Sequence, residues 1–253
     1  MMYQELAEVY DRLTRDIDYG KWADYLESAF LKFGNKPRLV LELACGTGSL
    51  SIEMAKRGYE MIGLDISCDM LSRAKEKSLG YGLDILFINQ DMRSLELYGT
   101  VDAVVCMLDS INYITEKSDL ERVFRLVSMY LNPDGLFIFD INSEYKLSCF
   151  LAENTFFELD DAISWIWHNT YDPSSKLCVF ELTFFRKTHN GLYARFDETH
   201  IERAWSDEEI TYALNRADMK LLGRFGHLSF DPPSSNEERI FYVARKESPY
   251  KQA

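Results

Sequence analysis

The sequence predicts an α/β protein: a mostly parallel sheet with helices on both faces, interrupted late in the chain by an antiparallel β meander. Two observations carry this. Between residues 38 and 140 a short apolar strand, a turn holding an acidic residue and an amphipathic helix follow one another in repeated units. After residue 141 the spacing changes to two-residue alternation punctuated by turn dipeptides, and a capped helix returns only at Ser206. A length of 253 residues suits one large α/β domain or a core with an attachment.

The opening stretch reads as helical. Leu6, Val9, Tyr10 and Leu13 recur at helical spacing, and Trp22, Leu26, Ala29, Phe30 and Phe33 resume it before Gly34-Asn35-Lys36-Pro37 stops the helix. Residues 38–43 form an apolar strand, followed by Ala44-Cys45-Gly46-Thr47-Gly48 and a helix over 49–57. A second strand, 59–64, ends at Asp65, and Ser67 caps the next helix. Strands over 84–88 and 101–106 lead to Asp91 and Asp109. Ser118 and Glu121 have capping-box spacing before a helix ending near Leu131, and Asn132-Pro133-Asp134-Gly135 turns into a strand over 136–140.

The meander is expected as three strands, near 163–168, 177–185 and 192–203, separated by Asp172-Pro173-Ser174-Ser175 and Asn190-Gly191. Ser206 with Glu209 opens a helix to about Met219, and strands over 220–225 and 239–243 flank a polar loop. Because the main sheet is completed only after the meander, the expected organisation is a helical cap over 1–36, a core over 37–141 and 204–247, and an insert or lid over 142–203. The tail from Glu247 is expected to be loose.

Composition narrows the function classes. Twenty-eight Lys and Arg against 41 Asp and Glu leave a net charge of -13, which opposes nucleic acid and anionic membranes as partners. No apolar run is long enough to span a membrane, and Met1-Met2-Tyr3-Gln4-Glu5 lacks the pattern of a signal peptide. The five cysteines are widely spaced without a CxxC pair, which points to a reduced cytoplasm, and the four histidines lie far apart, so no metal site is expected.

Open parallel sheets bind ligands at the carboxyl ends of their strands. The polar residues fall there in series: Glu42, Asp65, Asp91 and Asp109, with Gly46-Thr47-Gly48 at a helix start between the first two. A dinucleotide fold shares the glycine turn and the acid about 20 residues on. A glycine fingerprint from Gly46, however, requires glycine where Ser51 stands.

Glu42-Leu43-Ala44-Cys45-Gly46-Thr47-Gly48 resembles the first motif of the class I S-adenosylmethionine-dependent methyltransferases, whose sheet is Rossmann-like. Leu64-Asp65-Ile66-Ser67 through Met70-Leu71 resembles the second motif, Asn89-Gln90-Asp91-Met92-Arg93 the adenine-contact motif, and Cys106 through Tyr113 the fourth-strand loop. The closer likeness is to bacterial small-molecule enzymes of the glycine N-methyltransferase and amino-sugar N,N-dimethyltransferase type. The resemblance implies that Glu42 orients the glycine turn, and that Ala44, Gly46 and Gly48 meet the methionine part of the cofactor. It implies that Asp65 binds the ribose hydroxyls and Asp91 the adenine amino group. Ile66, Met70 and Met92 would pack around ribose and adenine, Cys106, Met107 and Leu108 would line the methionine end, and Tyr10 and Tyr19 would cover the cofactor. Ala44 departs from the glycine many relatives carry.

The implied chemistry is in-line transfer of an activated methyl group to a small-molecule acceptor, on nitrogen rather than oxygen, with the protein mainly positioning the reactants. Asp109, Asn112 and Tyr113 lie toward the methyl group. His200, on one strand face with Glu198 and Glu202, is either an acceptor-side base or a histidine satisfied by Glu198 or solvent. An NAD-dependent oxidoreductase and a noncatalytic S-adenosylmethionine-binding regulator stay open as alternatives, and a homodimer is admitted.

Overall fold

The structure, a computed structural model, describes residues 6–247. The expected absence of a leader and the expected loose tail concern residues outside these, except Glu247, whose N–H donates to the Asp218 carbonyl. The main sheet has seven strands: β1 (Leu39–Leu43), β2 (Glu60–Asp65), β3 (Leu86–Asn89), β4 (Val101–Cys106), β5 (Leu131–Asn142), β10 (Met219–Phe225) and β11 (Arg239–Lys246). Their order is β10-β11-β5-β4-β1-β2-β3. Neighbours from β3 to β5 pair in parallel, and β11 alone runs against the rest, between β5 and β10.

Both faces of this sheet are buried, which explains why its strands read as nearly continuous apolar runs. On one face α5 (Lys117–Tyr130) and α6 (Asp207–Arg216) bury Leu120, Phe124, Val127, Ile210 and Leu214 against Leu41, Leu43, Phe137 and Phe139. On the other, α2 (Tyr19–Lys32) and α3 (Ser49–Lys56) bury Trp22, Leu26, Phe30, Leu50 and Met54 against Val40, Val105 and Ile138. α4 (Cys68–Gly80) starts at Ser67, whose hydroxyl accepts from Met70 N–H as expected. The capping box of Ser206 and Glu209 is also formed.

The insert is a four-stranded antiparallel sheet in the order β6-β7-β8-β9: β6 (Thr155–Glu158), β7 (Ile163–Asp172), β8 (Leu177–Lys187) and β9 (Tyr193–Arg203). Three of these strands match the sequence expectation. β6 was not legible, because in Thr155-Phe156-Phe157-Glu158 the half-buried Phe156 is followed by an exposed Phe157, which erases the apolar alternation that its burial follows. A wide helical turn, Lys146–Leu151, also precedes it unannounced.

Other differences are local. Ser118 does not cap α5, which begins at Lys117 with Glu116 as an N-cap that makes no side-chain bond. α6 stops at Arg216, and Met219, read as its end, opens β10 with its side chain in the core. The Asn132 to Gly135 turn is a bulge inside β5, where pairing jumps from Val101↔Leu131 to Ala103↔Leu136. No helix among the described residues is long and apolar enough to cross a membrane.

Phe139 is fully buried, with ring centroids 4.7 Å from Phe137, 5.1 Å from Tyr242 and 5.3 Å from Phe124. Replacing it by alanine should cost about 3–5 kcal/mol of unfolding free energy in a denaturant titration. A loss under about 1 kcal/mol would show that this aromatic stack does not anchor the sheet.

Candidate active site

β1 pairs with β2 on one side and β4 on the other, so successive crossovers leave it in opposite directions and open a crevice at its carboxyl end. The turn there winds through left-handed backbone at Ala44 (φ 53°), Gly46 (φ 53°) and Gly48 (φ 73°). The two glycines serve different ends. A Cβ on Gly48 would come within 2.9 Å of Ala74 Cβ and 3.1 Å of Phe87 Cζ, so this glycine lets α3 and α4 pack. A Cβ on Gly46 would meet only Tyr10 Cε1, at 3.8 Å, which leaves that backbone open to the crevice. Asp65 binds the turn to the next strand: its carboxylate accepts from Gly46 N–H and Ser67 N–H, both at 2.8 Å. Burial pushes its pKa up, and these backbone donors oppose the rise.

Tyr10, Tyr19, Glu42, Ala44, Gly46, Thr47, Met107, Leu108 and Ser110 line one narrow cavity of about 30 Å³. That is room for about one water. It is small because α1 (Tyr10–Leu13) lies down on the turn. Asp11 accepts from the Thr47 hydroxyl and pairs with Lys77 at 2.8 Å, while Arg12 and Arg15 pair with Asp160 and Glu158 of the insert. Leu6, Ala7 and Val9 fill a cluster with Met70 of α4 and Ile163, Phe184 and Phe196 of the insert. The N-terminal segment is therefore closed over the turn and joins core to insert. Glu42 is buried in the cavity wall and accepts a hydrogen bond from the Ser51 hydroxyl. Burial drives its pKa up to about 7, with the Ser51 hydroxyl pulling the other way.

The other wall is the turn after β4. Leu108 (φ 58°) and Asp109 (φ 55°) are consecutive left-handed residues, a conformation that costs an L-residue such as leucine about 1–2 kcal/mol. Asp140, fully buried on β5, accepts from Leu108 N–H at 2.7 Å and Asp109 N–H at 3.0 Å. Arg239 of β11 donates to Asp140 and, at 2.6 Å, to Asp109. Burial raises Asp109 but the Arg239 and Lys146 charges outweigh it, so its pKa falls; burial wins at Asp140, whose pKa rises. Glu202 of β9 is buried alongside, accepts from Asn142 Nδ2 at 2.7 Å, and is pushed far upward by burial and by Asp109. Lys146 bonds Asn142 Oδ1 at 2.9 Å, and burial lowers its pKa. Asn112 ties this turn to the insert through the carbonyls of Asn142 and Arg203. The Tyr113 ring meets His200 edge-on at 5.8 Å, and burial lowers the His200 pKa to about 4.

The structure thus gathers Tyr10, Tyr19, Glu42, Ala44, Gly46, Met107 and Leu108 at one cavity, with Asp65 behind the turn. Other expected contacts lie differently. Cys106 is fully buried and is not part of that wall. Ile66 is exposed, whereas Met70 sits beneath the N-terminal segment. Asp91 caps the turn Met92–Ser94 and is held by the Arg93 guanidinium, which lowers its pKa, while Met92 packs against the α5 layer. Sequence reasoning missed Arg239, Asp140 and Lys146, and placed Glu202 on the His200 face without giving it a role. The polar Asp140 ending an apolar strand was a usable signal; Arg239 offered none, since its partner Asp140 lies 99 residues away.

A glycine turn at the switch point of a parallel sheet, an acid at the end of the second strand and an antiparallel insert define a methyltransferase-like α/β protein. Residues 40–135 match the methyltransferase-domain family. The chain is similar to YqeM of Bacillus subtilis (strain 168), a protein named as a methyltransferase, at 36% identity over 97% of this chain and 98% of that one. Its fold matches the crystal structure of an S-adenosylmethionine-dependent methyltransferase from Clostridium acetobutylicum ATCC 824 with a TM-score of 0.88 and 35% identity, covering 97% of this chain and 99% of that one. The chain belongs to the class I S-adenosylmethionine-dependent methyltransferases, and the nicotinamide alternative falls. It is also 29% identical, over 53% of its length and 52% of the other's, to the dTDP-3-amino-3,6-dideoxy-alpha-D-glucopyranose N,N-dimethyltransferase of Streptomyces fradiae.

Two substitutions probe the turn. Because the Glu42 pKa rises from 4.5 to about 7 on folding, the native state loses stability as pH climbs through that window. Glu42→Gln removes this loss, and should gain roughly 3 kcal/mol over wild type at pH 8 and almost nothing at pH 4, by denaturant titration. Equal effects at the two pH values would contradict the shift. Ala44→Gly relieves the left-handed strain and should raise stability by about 1 kcal/mol in the same assay; a loss would mean that the alanine methyl group is packed against something useful.

Proposed function

We propose that the protein transfers the methyl group of S-adenosylmethionine to the amine nitrogen of a small molecule. The observation that carries this reading is the roof of the site: α1 lies on the turn after β1 and packs against the insert, which is itself bonded to the turn after β4 through Asn112 and Arg203, and such a cover favours a small acceptor over a polymer.

The donor set suits an adenosine-bearing sulfonium. Asp65, 7% exposed and already accepting two backbone bonds, keeps further lone pairs for ribose hydroxyls. Ile66, exposed beyond β2, supplies an apolar edge for adenine, and Asp91 accepts from its amino group in competition with the Arg93 guanidinium that holds it here. The Gly46 backbone, Glu42, Met107 and Leu108 line the place of the methionine end; because the closed cavity admits only about one water, α1 with Tyr10 must move off the turn to admit the arm before covering it together with Tyr19. When bound, S-adenosylmethionine supplies a methyl group already activated on sulfur, so the residues need only align the acceptor and exclude water.

Nitrogen is favoured over oxygen by the lighter demand an amine places on a base. An alcohol acceptor calls for a group that removes its proton as it attacks; His200, its pKa lowered to about 4, is a poor one, and Glu42, with a pKa of about 7, is engaged by the Ser51 hydroxyl on the methionine side of the cavity. An amine needs only to be neutral when it attacks. His200 and Tyr113 then act as an aromatic wall with a hydrogen-bonding edge, and Asp109 shapes the turn beside the methyl group. The Streptomyces fradiae relative, whose name is that of an amino-sugar N,N-dimethyltransferase, supports the same acceptor chemistry.

Incubation with S-adenosylmethionine and matched panels of amines and alcohols, read as S-adenosylhomocysteine release, should find turnover among the amines. Its rate should rise with pH as the acceptor amine loses its proton. Turnover confined to alcohols, or absent from both panels, would overturn the proposal and in the second case favour a cofactor-binding regulator. Asp65→Ala should weaken S-adenosylmethionine binding by at least about tenfold in calorimetry.

A further inference from the structure

Among the described residues there is one place where two successive non-glycine residues take positive φ, Leu108 and Asp109. Leucine has no local hydrogen bond to offset that conformation, so something outside the turn must hold it. Asp140 does so directly, with one carboxylate oxygen on each of the two amide N–H groups, at 2.7 and 3.0 Å. A carboxylate buried this completely is held as an anion only if a cation meets it. Arg239 is that cation, and its guanidinium spans both acids: one arm on Asp140 and the other, at 2.6 Å, on the Asp109 side chain. It also lies 5.5 Å from the Trp22 ring of α2, which fixes its approach. The three groups come from the turn after β4, from β5 and from β11, so they close a bracket around the backbone of Leu108.

We propose that Arg239 and Asp140 are positioning residues, which set the backbone of the Met107 to Ser110 turn so that it receives the amino-acid arm of the methyl donor. Neither touches the donor itself. Met107, Leu108 and Ser110 face the same cavity as Gly46 and Tyr10, so a shift of this turn changes the wall that meets the arm. Asp65 and Asp91, at the ends of β2 and β3, belong to other strands and are untouched by it. The inference rests on assigning the methionine end to this cavity, and it goes further by dividing the site into an adenosine half held by β2 and β3 and an arm half held by the bracket.

The division can be read with two probes that share an adenosine and a sulfur but differ in the arm, S-adenosylhomocysteine and 5′-methylthioadenosine. In calorimetry on the full chain, Arg239→Gln and Asp140→Asn should each weaken S-adenosylhomocysteine about tenfold and 5′-methylthioadenosine less than about twofold. Arg239→Lys keeps the buried charge but not the two-armed geometry, and should give the same selective loss if the other variants fail to fold. Wild-type affinity for S-adenosylhomocysteine in the folded variants, or equal losses for both probes, would overturn the proposal. Asp65→Ala separates the two readings: it should weaken both probes, and if it weakens neither, the placement of the cofactor fails whatever the bracket does.

Discussion

A sheet buried on both faces has no room for polar side chains along its strands, so its polar groups collect where the strands end. In this protein that constraint acts hardest at β1, flanked by α2 and α3 on one side and by α5 and α6 on the other. Its carboxyl end must turn sharply between β2 and β4, and does so through three left-handed residues within five positions. The Asp65 carboxylate satisfies the Gly46 amide of this turn and the Ser67 amide of the turn after β2, and thereby links the first two strand-to-helix turns into one unit. The acid that the cofactor reading needs is also the acid that the fold needs.

The opposite wall solves a similar problem with charge. Asp140 and Glu202 are buried, and Asp109 half-buried, beside Arg239 and Lys146, an arrangement tolerable in low dielectric only because each member has hydrogen-bonding partners. Burial pushes Glu202 far toward its neutral form, which limits the number of negative charges that must coexist. The N-terminal segment is held differently. Its ion pairs with the insert are exposed and contribute little, so its seat depends on Leu6, Ala7 and Val9 packing on Met70, Phe184 and Phe196.

The framework was legible because it rests on local signals. Alternation of apolar strands with capped helices reports burial on two faces, and Ser67 and Ser206 cap helices where their spacing said they would. The same signals misled where a competing contact won. Ser118 has the right neighbours for a cap, but α5 starts one residue earlier. The Gly46 to Gly48 motif was read as ligand approach throughout, while Gly48 is required by Ala74 and Phe87, contacts 26 and 39 positions along the chain that no motif encodes. Arg239, read only as a strand start, turned out to pin a turn on β4.

Local patterning by itself determined the order of strands and helices, the acids at the strand ends and the antiparallel insert, because each depends on neighbours within a few residues and on the period of burial. Tertiary structure alone decided which of those acids stand free and which are held. Asp109 is turned onto Arg239 and Asp140 onto the same guanidinium, and Tyr10 is laid against Gly46 by contacts reaching the insert, whereas Asp91 is held locally by Arg93. A carboxylate's partners and a tyrosine's neighbours are set by where distant segments meet in space, and the energy of that meeting is shared among residues whose separation along the chain leaves no local trace.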